Sequence, residues 1–296
     1  MRAWLSGTRS AADEVADHPA LWLPGALAWT VTVGWLALLI GVGRPPTIAE
    51  LTFLGAGIFT SGAWPWNLVA GTGVALLVVV LAFHLAAAGE AVLLRGLRAS
   101  IADAWRLAVV GLVCAVPTVV AVAATVAMAA TVAPGEFNDP DPGPGPVVST
   151  VLRIAPLLVA VVLAATVGAA LHAAAARAVA AGRGVASALR EAPSALAAAA
   201  PGAVLLAATL LVTRVAYLAL AAVLLRVLWA PIAVRLAGDG IGLAAMLLLV
   251  GFVAIWLCLV LGGGALHAWG SAAWTRILLG TAGHRGDQVR ETSSRP

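Results

Sequence analysis

Charge is what this 296-residue sequence has least of: Asp, Glu, Lys and Arg together make up 10% of it, against about 25% in an average soluble domain. Hydrophobic residues make up 62%, where about 45–50% is usual. Together these values exclude an ordinary soluble globular protein, a disordered chain and a nucleic-acid-binding module. Lysine is missing altogether. All 17 basic residues are arginine, which fits the codon bias of a GC-rich genome. A net charge of +4 would point to a nucleic-acid partner in a soluble protein. In so apolar a chain the arginines serve better as topology signals and as contacts to anionic lipid. Cysteine is scarce too. Cys114 and Cys258 stand alone inside long apolar runs, so they count as small hydrophobes and build no metal or redox motif. There is no P-loop, no dinucleotide fingerprint, no His-Glu-x-x-His and no Gly-x-Ser-x-Gly. The chain therefore cannot energise transport by ATP alone, and a partner such as a separate ATPase or another membrane subunit would have to do so. No cofactor and no metal are expected.

What is there is apolar length. About 20 helical residues cross a hydrocarbon core of roughly 30 Å. Six runs qualify: Leu21–Val42, Leu68–Ala88, Leu107–Val132, Val151–Ala174, Pro201–Leu228 and Ile241–Ala268. The first is too long for a cleaved signal peptide and follows the acids Asp13, Glu14 and Asp17. The fold expected is all-α, a polytopic membrane bundle of six transmembrane helices. Arginines 2, 9, 95, 98, 106, 177, 183, 190, 276, 285, 290 and 295 fall on one side, twelve in all, against four on the other: 44, 153, 226 and 235. The positive-inside rule then puts both termini in the cytoplasm, in a multi-pass protein of the cell membrane. Trp4, Trp22, Trp105, Trp269 and Trp274 mark the inner interface, and Trp64, Trp66 and Trp229 the outer one.

The connections differ by side. In the first outer loop, Gly43–Asn67, Thr47 and Glu50 have capping-box spacing before an apolar stretch, so a short interfacial helix is expected. The second, Pro134–Pro146, is rich in Pro and Gly and should be irregular. Its Glu136, Asp139 and Asp141 lack the spacing of a calcium loop and stand as a solvated acidic loop. Leu94, Leu97, Ile101 and Trp105 recur at helical spacing beside Arg95, Arg98 and Arg106, the pattern of a helix lying in the inner interface. The tail 283–296 is polar and is expected to be disordered.

Three inner segments share a Gly, Arg, Ser order. Gly7–Ser10 precedes Asp13, Gly96–Ser100 precedes Asp103, and Gly182–Ser187 precedes Arg190. The serines serve as N-caps, with the aspartates at the third helical position. They are 90 and 87 residues apart, and His84, His172 and His267 follow at intervals of 88 and 95. The spacing implies a three-fold hairpin repeat, approximately 7–90, 96–176 and 182–270, with three cytoplasmic amphipathic elbow helices. These lie within a single transmembrane domain, 1–282. Repeat interfaces in membrane proteins often hold a site.

The elbow at Gly96–Arg106 and at Gly182–Pro201, echoed at Gly7–Pro24, resembles a broad group of six-helix bacterial membrane proteins. That group includes the membrane domain of membrane-anchored glycerophosphodiester phosphodiesterases, whose catalytic barrel is a separate soluble domain. The resemblance covers nearly the whole chain and implies a fold and a compartment, with no activity.

Three sets of residues are candidates for chemistry. Glu90-Ala-Val-Leu-Leu-Arg95-Gly96 resembles the Glu-Glu-x-x-x-Arg-Gly signature of CAAX-processing intramembrane proteases, whose glutamates activate water and whose Arg orients them. Ala91 replaces the second Glu here, and a lone carboxylate is a poor hydrolytic site. The plainer expectation places Glu90 and Arg95 in the interfacial elbow. His84, His172 and His267 are candidates for a proton relay, or for imidazoles whose polar edges reach the headgroups. Arg214 lies twelve residues from Arg226, about 18 Å at 1.5 Å per residue, near the midplane. An Arg there costs at least about 2.5 kcal/mol and is a functional hypothesis by default. No acid falls inside the six runs, so a bound anion or lipid phosphate is the expected counter-charge, with Tyr217 on the same face. The glycines Gly262, Gly263 and Gly264 should let helices pack closely. These features favour a non-enzymatic transport-related or accessory subunit. The alternatives are a degenerate CAAX-type protease and an anionic-lipid-binding or scaffold protein.

Overall fold

The computed structural model describes the backbone of residues 2–43, 57, 60–137, 145–238 and 242–293, and their side chains except 2, 3, 97, 137 and 280–293. The described elements are helical. Helix α1 spans Arg2–Asp17. Helix α2, Pro19–Val42, opens with a 3-10 turn and contains a π turn at Thr30–Gly34. Then come α3 (Trp66–Arg95), α4 (Ile101–Phe137), α5 (Pro146–Ala180), α6 (Val185–Ala198), α7 (Ala200–Gly238) and α8 (Leu243–Ser293). Six of them (α2, α3, α4, α5, α7 and α8) are long and apolar enough to cross a membrane. The outward-facing Val and Leu side chains along α3, among them Val74, Leu76, Leu77 and Val78, have no hydrophobic shelter unless lipid supplies it.

The helices outrun the apolar runs. Helix α3 has 30 residues, about 45 Å of rise against a core of roughly 30 Å, so its ends extend beyond the hydrocarbon. Helix α3 ends where Gly96 takes φ +62°, a left-handed conformation that glycine adopts without a Cβ clash. A 3-10 turn over Gly96–Arg98 then leads into α4. The second expected elbow is therefore a tight turn and the first turns of α4. Its cap forms as expected: the Asp103 amide donates to Ser100 Oγ at 3.2 Å, and the Ser100 amide donates to Asp103 Oδ2 at 3.1 Å. The other two serine caps do not form. Ser10 lies inside α1, because nothing from Trp4 to Arg9 breaks that helix. Helix α6 begins at Val185 after an extended Gly184, and Ser187 Oγ donates back to the Gly184 carbonyl at 2.8 Å. The backbone of α8 is helical to Ser293, and no proline interrupts it before Pro296. Thr47, Glu50, Asp139 and Asp141 lie outside the described residues.

The chain divides into two compact units. One comprises residues 2–108 and 208–276, hence α1 to α3, the start of α4, most of α7 and α8 to Arg276. Its helices touch backbone to backbone. A methyl group on Gly264 of α8 would overlap the Trp22 carbonyl and Ala26 of α2, and one on Gly89 of α3 would overlap the Pro24 carbonyl. Small residues permit such approaches, which lipid-embedded helices use in place of hydrophobic collapse. A second patch joins α2, α7 and α8 through Ala37, Ala221, Leu225, Ile232 and Phe252. In the other unit, 109–207 and 277–296, Gly168 of α5 lies against the Cys114 carbonyl of α4, and Arg153 pairs with Glu136 at 2.6 Å. Glu136 is thus committed to an arginine.

Candidate functional site

The close approaches at Gly25, Gly89 and Gly264 decide what sits next to what. Glu90 follows Gly89 directly, and His267 is three residues beyond Gly264. With α2 wedged against both helices, the Glu90 side chain meets α8. It is 7% exposed. His267 Nε2 lies 3.1 Å from Oε2, and Ser271 Oγ donates to Oε1 at 2.8 Å. His267 and Ser271 are i and i+4 on α8, so they project from one face of the helix. With Glu90 ionised, Nε2 of His267 carries the donated hydrogen. Both carboxylate oxygens are therefore occupied by donors from a single neighbouring helix.

Arg214 completes the group from α7. A methyl group on Gly270 would lie 3.5 Å from its Nη2, so the guanidinium passes over that glycine, beside Ser271. The carboxylate in electrostatic reach of Arg214 is Glu90. Glu90 thus offers Arg214 a negative charge from within the chain, beside the bound anion or lipid phosphate that the sequence suggested. Glu90 falls outside the apolar run ending at Ala88, yet α3 continues as helix to Arg95 and carries Glu90 into the packed interior. The cluster thus holds one carboxylate, one guanidinium, one imidazole and one hydroxyl. It is neutral overall when His267 is neutral, and one proton more makes it cationic. Low dielectric makes that difference large.

The remaining candidates go elsewhere. Tyr217 shares with Arg214 the face toward α8 but acts as a strut: its hydroxyl donates to the Leu259 carbonyl at 2.7 Å, and its ring meets Trp29 edge-on with centroids 5.8 Å apart. Arg95 bridges the turn to Asp103 at 2.7 Å, in keeping with a role in the inner connection. His84 stacks on Trp105 with centroids 4.2 Å apart. His172 belongs to the other unit. His267 contacts Glu90 directly. Among the described residues no three His, Cys, Asp or Glu side chains gather in a way that would hold a metal ion. Ser271 was missed in the sequence. Its one signal is its place four residues after His267, on the segment that begins with the close-packing glycines.

No protein-family model matches the chain, and no curated protein or solved structure does.

Proposed function

We propose that this chain is a non-enzymatic, transport-related or accessory membrane protein whose Glu90–His267–Ser271 cluster, with Arg214, holds an exchangeable proton. The observation that carries this reading is the buried Glu90 carboxylate bound by a histidine and a serine at 3.1 and 2.8 Å. Ionisable groups within membrane helices mark ion pathways and proton relays. The chain lacks a nucleotide motif, so a proton is the coupling ion it is equipped to use without an ATPase partner. We place it in the cell membrane with both termini cytoplasmic, on the strength of the arginine count, and take the three hairpins as copies of one unit.

Hydrolysis fits the cluster less well. A general base must reach the water it activates, whereas Glu90 is 7% exposed and each of its oxygens already accepts a hydrogen bond within the protein. Nor does Arg214 require a lipid phosphate when Glu90 is within reach.

The test needs no known substrate. Proteoliposomes on a solid-supported membrane are given a pH jump, and the transient current is recorded. The wild-type chain should give a current, Glu90→Gln should abolish it, and Glu191→Gln, on exposed α6, should leave it intact. Absence of a current from the wild type, or persistence of one in Glu90→Gln, overturns the reading.

A further inference from the structure

Helix α1 precedes the first membrane-crossing helix and has two unlike faces. Thr8, Ala11 and Val15 are buried, while Leu5, Arg9 and Ala12 point outward. It is fastened at three places. Trp269 Nε1 of α8 donates to the Thr8 carbonyl at 3.0 Å, and Trp22 Nε1 of α2 donates to the Val15 carbonyl at 2.9 Å. Arg276 of α8 pairs with Glu14 at 2.7 Å and donates to Ser10 Oγ.

Beside the Trp269 contact lies an open groove of about 610 Å³, lined by Leu5, Ser6, Thr8, Arg9, Ala12 and Trp269. The lining combines an aliphatic and indole wall with one cation. Glu14 is already engaged by Arg276, and Arg9 makes no ion pair with any described residue. An occupant that matches this lining needs an anionic group for Arg9 and an apolar body for Leu5, Ala12 and the Trp269 ring. The groove also lies on the twelve-arginine side of the sequence, and tryptophan rings settle at the headgroup level. Anionic headgroups gather where arginines cluster beside a membrane surface.

We propose that this groove binds one anionic phospholipid. Its phosphate pairs with Arg9, and the upper part of an acyl chain lies along Leu5 and Trp269. The site is separate from the Glu90 cluster and does not depend on the proton reading.

The full chain is incorporated into vesicles of equal parts phosphatidylglycerol and phosphatidylcholine, gently extracted, and its retained lipids are counted by native mass spectrometry. Wild type should retain one phosphatidylglycerol selectively. Arg9→Gln should lower that selectivity about tenfold, the equivalent of one lost charge-assisted hydrogen bond, and Arg9→Lys should recover part of it. Arg98→Gln, an exposed arginine on the same side but outside the groove, should retain full selectivity. Equal retention of the two lipids by wild type overturns the proposal. So does unchanged selectivity in Arg9→Gln, or an equal loss in Arg98→Gln, which would show only a general effect of charge.

Discussion

At the scale of single residues, a coupling between Arg214 and Glu90 is expected, because the carboxylate lies in electrostatic reach of the guanidinium. Removing one partner of a buried pair leaves an uncompensated charge, which costs about 3–5 kcal/mol, whereas removing both costs much less. Arg214→Leu should therefore destabilise the protein in detergent by several degrees of melting temperature, and Arg214→Leu with Glu90→Gln should be closer to wild type than Arg214→Leu alone. A double-mutant cycle by thermal unfolding measures this coupling. Strictly additive losses would show that the two charges do not interact. Neither partner is legible from the sequence in the same way. Arg214 stands out because it is a lone cation deep in an apolar run. Glu90 looks like a boundary residue, two positions past the end of such a run, and only the continuation of α3 to Arg95 brings it inside.

At the scale of elements, the site depends on backbone contact between α2, α3 and α8. Gly264 is among the tightest points, since a Cβ there would overlap the Trp22 carbonyl and the Ala26 backbone. Neither atom belongs to a flexible side chain, so the helices must separate to admit a methyl group. Overpacking of this kind costs roughly 1–3 kcal/mol. Gly264→Ala should lower the melting temperature and also remove the pH-jump current, because His267, one turn along, would draw away from Glu90. Gly251→Ala on the same helix, with nothing within 4 Å of its added carbon, should leave both unchanged. Loss of stability without loss of current would show that the cluster tolerates the shift. The run Gly262–Gly264 announces close packing in the sequence, although which helix it meets is not written there. The Ser100–Asp103 cap, by contrast, is fully local and forms as its spacing requires. The matching Ser10 shows that the same letters cap a helix only when the residues before them stop it, and Ser187 falls inside α6 because that helix starts two residues earlier, at Val185.

At the scale of the whole molecule, the arginine count makes a topological prediction. Single cysteines placed at Ser187 and Asp139, in a background lacking Cys114 and Cys258, should react from opposite sides of the membrane with an impermeant maleimide. The residue-187 cysteine should be labelled only after the cytoplasmic side is opened, and the residue-139 cysteine in intact cells. The reverse pattern would invert the orientation and put the α1 groove in the outer leaflet.

Composition and run length by themselves determined that the chain is helical and has six helices able to cross a membrane. Hydrophobic length is a local property, and lipid leaves the backbone few ways to satisfy its hydrogen bonds. The Ser100 cap was local as well. The pairing of Glu90 with His267 spans 177 residues of sequence, and no periodicity within α3 or α8 encodes it. It was decided by tertiary structure, where glycines on two helices let both press against α2. That contact carries an imidazole and a hydroxyl to within hydrogen-bond distance of one carboxylate, with a guanidinium close by.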